Sequence, residues 1–347
     1  MFYQCKKCKK TWQYPVEKCP DCFLELERIK SAKIKVIGIS KVNIPTIFHP
    51  KAPYFVLLLE DENKNRWAHK SIKEYTIGDV FEINSSSDDN AVAIWRVKYE
   101  ALEAIEKIIE LLQVLELKRE SKILILPTLI SPAHAHFRKN TSPEFLEAVL
   151  KFLFTKGIKA ENIKIGAQSF DENLIEAAAQ KSGLLNICME NKILPLDLAK
   201  TNFVKKDSHQ LGGGGLEISE EVFNSDFILN LPILKVGKAS AAENILKVLK
   251  KENYLSLKNL SSDKEILKSL NKELPNFLTL GEAEAVQKPD SFTVFFGLVL
   301  ASFNPFNLDR VFNEISTVKE LPEILKEIKI EDVPILGRKI EEVGFKP

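Results

Sequence analysis

The first 22 residues contain four of the five cysteines of the chain, arranged as two Cys-x2-Cys pairs. Cys5 and Cys8 form the first pair, Cys19 and Cys22 form the second, and ten residues separate the pairs. Two tight turns with this spacing can present four thiolates tetrahedrally to one metal ion. The pattern predicts a zinc ribbon over residues 1–24. Because four thiolates close the coordination sphere, the zinc would be structural; an iron centre of the rubredoxin type is the alternative, since the same ligands also bind iron.

Length and charge limit the remaining classes of protein. The chain has 347 residues, enough for two or three domains with substantial cores. Its 49 Lys and Arg residues against 48 Asp and Glu residues leave a net charge of +1, so no bulk field attracts nucleic acid or an anionic membrane. The start lacks the features of a signal peptide, and no apolar run reaches the ~18 residues of a membrane span. We therefore predict a cytoplasmic protein with neither a membrane nor a nucleic acid as partner, and a buried apolar role for Cys188.

Residues 25–98 are predicted to form a small β-barrel, because short β-rich runs alternate there with polar turns such as "DENKN" and "SSSDDN". Residues 99–120 carry apolar residues at helical spacing with charges on the opposite face, which predicts an amphipathic helix that links two halves of the chain.

Residues 121–347 change to an α/β pattern. The runs "KILILPT", "NIKIGAQS", "DFILNLPILK" and "FFGLVLAS" are predicted strands. Between the first two lies a predicted helix with Ser142 as N-cap, Pro143 in its first turn and Gly157 as its stop. Strands that alternate with helices of this length predict a largely parallel sheet with helices on both faces. The fold class is therefore multidomain α+β: ribbon, small barrel, linker helix and α/β domain.

The N-terminal part resembles a known family. A pair of Cys-x2-Cys knuckles runs into a β-rich segment with "APYFVLLLE" and "IGDVFEI", and this arrangement resembles the rubredoxin-like zinc-ribbon plus OB-fold family that accompanies acyl-CoA thiolases. The resemblance implies an OB-type barrel and a module that bridges or scaffolds a partner enzyme and helps to handle acyl-CoA. That family usually has a glycine beside its ribbon cysteines, where this chain has Lys9 and Phe23.

The C-terminal part, residues 121–320, resembles domain-of-unknown-function family 362, an α/β family. The best match is "NLPILK", from Asn230 to Lys235. The family reads Asn-Leu-Pro-Lys-Leu-Lys-Thr-His at this place, so that Lys235 is kept while Ile233 and Gly237 replace the first Lys and the His. The segment "SFNPFNLDRV" resembles an Asp-Pro-x-x-x-Asp turn of the family, with Asn304 and Asp309 at its two acidic positions.

Polar residues stand at or just after the carboxyl ends of the predicted strands. Parallel strands bring these ends to one edge of a sheet, which is where open α/β sheets bind ligands. The candidate ligand-binding residues are Thr128, Gln168, Ser169, Asn230, Lys235, Ser302, Asn304 and Asp309. Lys235 is predicted to point into a pocket formed with the 126–136, 166–170 and 302–309 loops, where either Asp309 or a small external anion would meet it. The alternative is that the Ser, Asn and Asp residues only cap helices, as Ser142 and Ser219 can.

Three further motifs give weaker signals. His134 and His136 could supply two metal ligands, but no third ligand stands nearby, so a solvated or substrate-facing loop is the preferred interpretation. The run Gly212–Gly215 lacks the context of a phosphate loop and is predicted to be a flexible turn, with a lid carrying Lys205 and Lys206 as the alternative. Lysines after the "NLPILK" strand, Lys238 and Lys247 among them, belong either to a solvated helix face or to a phosphate or carboxylate site.

Two functional hypotheses follow. In the first, the protein is an accessory or scaffold protein whose residues 1–98 dock a partner enzyme, and whose α/β domain has an anion-binding crevice. Four aromatic residues near the cysteines, Phe2, Tyr3, Trp12 and Tyr14, would anchor the partner. In the second, the protein is an enzyme whose active site lies at the carboxyl ends of the α/β strands.

Overall fold

The computed structural model of the chain divides it into two compact units, Met1–Ser87 and Asp88–Pro347. The residues that it describes are 2–12, 18–29, 33–44, 53–71, 74–82, 89–112, 117–170, 174–208, 211, 215–287 and 293–344.

The first unit begins with a small antiparallel sheet that carries the cysteine turns. It consists of β1 (Phe2–Cys5), β2 (Thr11–Trp12) and β3 (Leu26–Ile29), in the order β2-β1-β3. The central strand β1 pairs with both neighbours, and Tyr3 lies opposite Trp12.

A second antiparallel sheet completes the first unit. Its strands are β4 (Lys33–Val42), β5 (Tyr54–Asp61), β6 (Arg66–Ser71) and β7 (Val80–Glu82), in the order β6-β5-β4-β7. Alternate residues of β4 and β5 face a common core, with Val36 and Leu57 almost fully buried. Its closure into an OB-type barrel stays a prediction from the resemblance.

The predicted "DENKN" turn joins β5 to β6 and fixes the register of that hairpin. The Asp61 carboxylate accepts hydrogen bonds from the backbone N–H groups of Asn63, at 2.9 Å, and Asn65, at 2.8 Å. The Asn65 side-chain oxygen accepts a hydrogen bond from the Thr11 hydroxyl at 2.7 Å, which ties β2 to this turn. The first unit is therefore held together by polar contacts as well as by its core.

An eight-stranded sheet forms the centre of the second unit. In chain order the strands of this unit are β8 (Val92–Arg96), β9 (Ile123–Pro127), β10 (Ile163–Ala167), β11 (Pro195–Asp197), β12 (Phe203–Lys206), β13 (Leu216–Ser219), β14 (Phe227–Leu231), β15 (Phe277–Gln287), β16 (Thr293–Ser302) and β17 (Ile335–Gly337). The large sheet has the order β11-β10-β9-β14-β15-β16-β8-β17, and β12 and β13 form a separate hairpin. The strands from β11 to β15 in this order run parallel, whereas β16 runs antiparallel to both its neighbours.

Helices cover both faces of this sheet. They are α1 (Ala101–Leu112), α2 (Pro143–Thr155), α3 (Ile175–Ser182), α4 (Leu184–Glu190), α5 (Glu220–Phe223), α6 (Ser240–Ile245), α7 (Lys251–Lys258), α8 (Asp263–Glu273), α9 (Pro305–Ile315) and α10 (Ile340–Val343). The apolar residues of α1 to α4 pack on one face, and those of α6 to α9 pack on the other. The predicted fold class, with a largely parallel sheet between two helical layers, is confirmed.

Local signals in the sequence placed α2 well. The Ser142 hydroxyl accepts a hydrogen bond from the backbone N–H of Phe145 at 3.2 Å, Pro143 occupies the first turn, and Gly157 after the helix adopts a φ of +82°. The predicted cap at Ser219 is wrong. Its side chain makes no capping hydrogen bond to α5 and instead bonds to the hydroxyl of Thr201 at 2.7 Å.

The strand β8 and the helix α1 do not have the roles predicted for them, a barrel strand and a linker between two halves. The strand β8, which the sequence analysis included in the barrel segment 25–98, lies inside the large sheet, and α1 packs on β8, β16 and α2 instead of forming a free linker. The reason is visible in the composition of β8: its residues Val92–Ile94 are buried on both faces, as in a central strand. The apolar stripe of α1, including Ile105 and Ile108, needs that surface to be buried.

Among the described residues, the helices are all too short or too polar to cross a membrane.

Candidate functional site

The four N-terminal cysteines form a candidate metal centre. Their sulfur atoms all lie within 4.8 Å of one another, and the Sγ atoms of Cys8 and Cys19 are 3.7 Å apart. A tetrahedral zinc–thiolate site with Zn–S bonds of ~2.3 Å places its sulfurs ~3.8 Å apart, so the observed geometry fits such an ion. Cys5 and Cys19 are fully buried. Cys5, Cys8, Cys19 and Cys22 could therefore hold a metal ion, which is consistent with the predicted metal site.

Both cysteine turns have the same backbone geometry. In the first, Lys9 donates its N–H to the Cys5 carbonyl at 3.0 Å; in the second, Phe23 donates to the Cys19 carbonyl at 2.8 Å. Lys9 and Phe23 adopt left-handed conformations, with φ of +59° and +55°. These are the two positions where the resembled family usually has glycine, which adopts such angles without steric cost. The turns are therefore regular here, and side chains other than glycine are accommodated at a cost in backbone strain.

The surroundings shift the pKa values of the cysteines in opposite directions. The backbone N–H of Cys8, directed at the sulfur of Cys5, lowers the pKa of that thiol to about 7, whereas burial raises the pKa values of Cys19 and Cys22. Basic side chains flank the centre, and Lys10 forms an ion pair with Asp21 at 2.5 Å. Four thiolates around a divalent cation carry a net charge of −2, which nearby lysines can offset. The fifth cysteine, Cys188, is fully buried, as predicted, and burial raises its pKa to about 11, so it is an inert apolar residue.

At the carboxyl edge of the large sheet, two predicted ligand-binding residues are occupied by internal hydrogen bonds. The Asn230 side chain donates to the Ala241 carbonyl at 3.0 Å and accepts from Asn244 at 2.8 Å. The Thr128 hydroxyl donates to the Asn244 side-chain oxygen at 3.1 Å. These side chains are almost completely buried, so they join β9, β14 and α6 and do not face a crevice.

Gln168 and Ser169 lie at the end of β10. Gln168 is buried, and its amide nitrogen donates to the backbone carbonyls of Lys247, at 2.9 Å, and Leu249, at 2.7 Å. Ser169 is half-buried beside it. Gln168 therefore fixes the segment that follows α6, while ligand binding by either residue stays a prediction.

Ser302 and Asn304 do not lie at the carboxyl edge of the parallel strands, because β16 runs antiparallel to β15. Ser302 pairs with Thr279, near the start of β15, so the chain leaves β16 towards the amino edge of the parallel strands. Asn304 then caps α9 by accepting a hydrogen bond from the backbone N–H of Phe306 at 3.0 Å. The prediction that the 302–309 loop lines a carboxyl-edge pocket is wrong for these two residues.

Asp309 returns to the carboxyl side along α9, yet it does not pair with Lys235. Its carboxylate accepts hydrogen bonds from the backbone N–H groups of Ala241 and Ala242, both at 2.9 Å. The side chain is 1% exposed, and burial raises its pKa well above the ordinary value. The Asp309 carboxyl group therefore satisfies two backbone donors at the start of α6.

Lys235 is half-buried at the carboxyl edge, among other charged side chains. Burial lowers its pKa, the positive charges of Lys139 and Lys238 lower it further, and the carboxylate of Glu243 raises it. In the part of the chain that the structure describes, Lys139, Lys235 and Lys238 form no ion pair. We call these three residues the lysine cluster. A half-buried ammonium group that forms no ion pair is a candidate site for an external anion.

Two further charged residues of the second unit were not among the predicted site residues. Lys139 lies just beyond the 126–136 loop, and Glu282 is one of two acids within the otherwise apolar strand β15. Glu282 is 1% exposed; it accepts hydrogen bonds from the backbone N–H of Ser142 at 2.9 Å and from Arg138 at 3.3 Å. Burial raises its pKa to about 7. The two acids in "FLTLGEAEAV", Glu282 and Glu284, were the signal in the sequence, because a charged residue in a buried strand requires a partner.

The histidine pair, the Lys205–Lys206 pair, the glycine run and the aromatic residues near the cysteines form no further candidate site among the described residues. His134 and His136 are exposed with ring centroids 4.6 Å apart, and among the described residues they belong to no group of three metal ligands. Lys205 and Lys206 lie in β12, which pairs with β13. Gly212, Gly213 and Gly214 lie outside the described residues, as do Tyr14 and the side chain of Phe2, while Tyr3 and Trp12 are half-buried.

Comparisons with known proteins add a family match for the second unit. Residues 123–243 match the sequence model of a family described as "Domain of unknown function (DUF362)", which confirms the predicted resemblance over that segment. The match runs from β9 through the start of α6 and so includes the lysine cluster. No curated protein sequence matches the chain.

Two solved structures show partial similarity. One, titled "Ltp2-ChsH2(DUF35) aldolase", is 21% identical with a TM-score of 0.20 and covers 23% of this chain and 67% of its own. The other, a lactate racemase apoprotein from Thermoanaerobacterium thermosaccharolyticum, is 13% identical with a TM-score of 0.38 and covers 65% of this chain and 57% of its own. At these scores neither similarity bears on the activity of this chain.

Proposed function

We propose that the second unit binds a small anionic ligand at the lysine cluster. The observation that supports this proposal is the state of Lys235: half-buried, beside two further lysines, and with a pKa lowered by burial and by their charges. Such an arrangement is unfavourable in the absence of an anion and becomes favourable when one binds.

The loop that carries Lys235 and Lys238 is held in place before any ligand arrives. The N–H of Lys235 donates to the Ser240 hydroxyl at 3.1 Å, and the N–H of Gly237 donates to the side-chain oxygen of Asn313 at 2.9 Å. The Asn313 amide in turn donates to the Lys238 carbonyl at 2.9 Å. A loop fixed in this way loses little conformational freedom on binding, which favours affinity.

Replacing Lys235 with alanine is expected to weaken the binding of inorganic phosphate about tenfold or more, because a partly desolvated charge contributes strongly. The melting temperature should change little, since Lys235 forms no internal ion pair. Isothermal titration calorimetry with the full chain measures both affinities. Lys181→Ala is the matched control, because this exposed lysine ends α3, away from the cluster. Equal affinities of Lys235→Ala and the unaltered chain would contradict the proposal.

The enzyme alternative centres on Glu282. A carboxyl group whose pKa is about 7 can exchange protons at neutral pH. However, its oxygens are bonded to Ser142 and Arg138 and are shielded from solvent. A reaction that used Glu282 would require the 128–142 loop to open, so ligand binding is the function that the geometry supports best.

A second candidate function concerns the first unit, which we propose to be a zinc-bound docking module for a partner enzyme. Its exposed apolar side chains support this idea: Phe23 on the second cysteine turn is 75% exposed, and Leu58 on the outer face of β5 is 41% exposed. Ile77 and Val80 add further exposed apolar surface. Apolar residues gathered on one small unit are typical of interfaces.

Replacing Leu58 with lysine is expected to remove a partner that co-purifies with the natural protein, since a charge at the centre of an apolar contact is not compensated there. Native mass spectrometry of the complex, purified from its source, reports the loss. The matched control is Leu260→Lys, a change at an exposed leucine of the second unit. Retention of the partner by Leu58→Lys would exclude this face as the docking surface.

A further inference from the structure

We propose that a cavity of the second unit beside Arg138 binds a free basic amino acid. The guanidinium group of Arg138 holds the carboxylate of the ligand, and glutamates that line the cavity hold its two ammonium groups. The cavity has a volume of about 480 Å³, within the ~300–1,000 Å³ that is typical of small-molecule sites. The inference goes beyond the proposed anion site and does not depend on it, because Lys235 and Lys238 are not among the residues that line this cavity.

Arg138 is fixed at the cavity by a buried partner. Its Nη1 atom donates to Oε1 of Glu282 at 3.3 Å, and Glu282, which is 1% exposed, also accepts a hydrogen bond from the backbone N–H of Ser142 at 2.9 Å. Arg138 adopts a left-handed backbone conformation with a φ of +48°, which is uncommon for a residue with a side chain and is found most often at functional sites. The guanidinium group is therefore positioned before a ligand arrives, so less conformational freedom is lost on binding.

Most hydrogen-bond donors of Arg138 are available to a ligand. A guanidinium group has five N–H donors, and among the described residues Glu282 is the one acceptor that this side chain contacts. The side chain is 23% exposed and lines the cavity, and none of its nitrogen atoms is both buried and without a partner. The remaining N–H groups are therefore open to solvent. A planar guanidinium fork of this kind matches a carboxylate through two parallel hydrogen bonds.

The other charges at the cavity favour ammonium groups. Both of its basic side chains already have a carboxylate partner, since Lys151 pairs with Glu147 at 2.7 Å and Arg138 pairs with Glu282. Three more glutamates line the cavity and form no ion pair among the described residues; we call them the acidic wall: Glu100, Glu144 and Glu284. At longer range the charge of Glu100 acts on Lys151, and that of Glu284 acts on Glu282. The cavity therefore has an excess of negative charge, which a ligand with two ammonium groups and one carboxylate reduces.

Apolar surface in the same cavity suits the aliphatic stem of such a ligand. Val97, Leu102 and Ala148 line it and are partly or fully buried, and Tyr99, which also lines it, is 89% exposed. A tyrosine ring can pack against methylene groups or lie over an ammonium group. The cavity thus offers a surface for each of the three parts of a basic amino acid: its carboxylate, its stem and its ammonium groups.

Isothermal titration calorimetry of the full chain with three probes tests these parts separately. L-lysine has all of them, cadaverine lacks the carboxylate, and norleucine lacks the side-chain ammonium group. We expect L-lysine to bind about tenfold or more tightly than either of the other two, because each missing group removes a charge-assisted hydrogen bond.

Variants assign the two kinds of contact. Arg138→Lys keeps a positive charge for Glu282 but removes the planar fork, so it should weaken the binding of L-lysine about tenfold and leave that of cadaverine unchanged. Glu284→Gln, at a half-buried position of the acidic wall, should weaken both probes. The matched control is Glu103→Gln, because this exposed glutamate of α1 does not line the cavity.

Three results would overturn the inference. Equal affinities of L-lysine and cadaverine would show that Arg138 does not hold a carboxylate. Equal affinities of L-lysine and norleucine would show that the acidic wall does not hold the second ammonium group. Failure of all three probes to bind would exclude the cavity as a site for amino acids, whereas the proposed anion site would be unaffected, since it is tested with phosphate and Lys235→Ala.

Discussion

Replacing Cys19 with serine is expected to unfold the cysteine-bearing sheet of the first unit and to leave the second unit folded. Cys19 is one of four converging sulfurs and is fully buried, so its loss breaks the coordination sphere. The strands β1, β2 and β3 span only two to four residues each, so their pairing contributes few hydrogen bonds. Structural zinc contributes about 10–16 kcal/mol in zinc-finger peptides, and in such sites that energy is folding energy.

Elemental analysis and hydrogen–deuterium exchange check this expectation together. The unaltered chain should contain one zinc per molecule, and Cys19→Ser should contain none and should lose protection in the first 29 residues. Cys188→Ala is the matched control, since this buried cysteine lies in the core of the second unit; it should keep its zinc. A metal-free chain with the same protection as the unaltered one would show that the cysteines are not a structural metal site. Iron in place of zinc would select the rubredoxin-type alternative.

Replacing Glu282 with glutamine is expected to stabilise the second unit above pH 7. Burial raises the folded-state pKa of Glu282 from its ordinary value of 4.5 to about 7. Between these values the folded chain binds more protons than the unfolded chain, so stability falls as pH rises through this window. The shift corresponds to ~3 kcal/mol of lost stability above pH 7. Glutamine cannot ionise and can still accept the hydrogen bond from Ser142.

Urea unfolding between pH 5 and 8 measures the effect. Trp12 and Trp67 belong to the first unit and Trp95 to the second, so fluorescence in a Trp12→Phe, Trp67→Phe background reports the second unit. The unaltered carboxyl group should give a stability that declines with pH, and Glu282→Gln should flatten the decline. Glu282→Ala should instead cost ~2–4 kcal/mol at pH 5, because it leaves the Ser142 N–H without an acceptor and creates a cavity. Parallel pH curves for Glu282→Gln and the unaltered chain would contradict a carboxyl group that titrates near neutrality.

A consequence for the lysine cluster follows from the position of Glu282. The loop that it holds, through Ser142 and Arg138, also carries Lys139. Arg138 lines a cavity of about 480 Å³ together with Tyr99, Glu144 and Glu284. The buried Glu282 side chain therefore positions the loop that carries Arg138, which lines this cavity, and Lys139.

The sequence by itself determined the features whose causes are local. The candidate metal site consists of four cysteines within 22 residues, and their paired spacing predicted that the four sulfurs would converge. The caps of α2 depend on residues within one turn of its ends. The alternation of strands and helices predicted the layered sheet of the second unit, because each strand and helix must bury its own apolar face.

Only the tertiary structure decided which polar residues meet. An apolar strand has the same sequence pattern whether it runs parallel or antiparallel to its neighbour. The run "FFGLVLAS" therefore did not indicate that β16 is antiparallel to β15, which places Ser302 and Asn304 at the opposite edge of the sheet from Lys235. Likewise, Thr128 and Asn230 were predicted to bind a ligand, but the side chain of Asn244 in α6 forms hydrogen bonds with both. Lys139 and Lys235 follow β9 and β14, two strands that are distant in the chain and pair in parallel. Such contacts join residues far apart in the chain, and their energies depend on burial and strand direction, which no local pattern encodes.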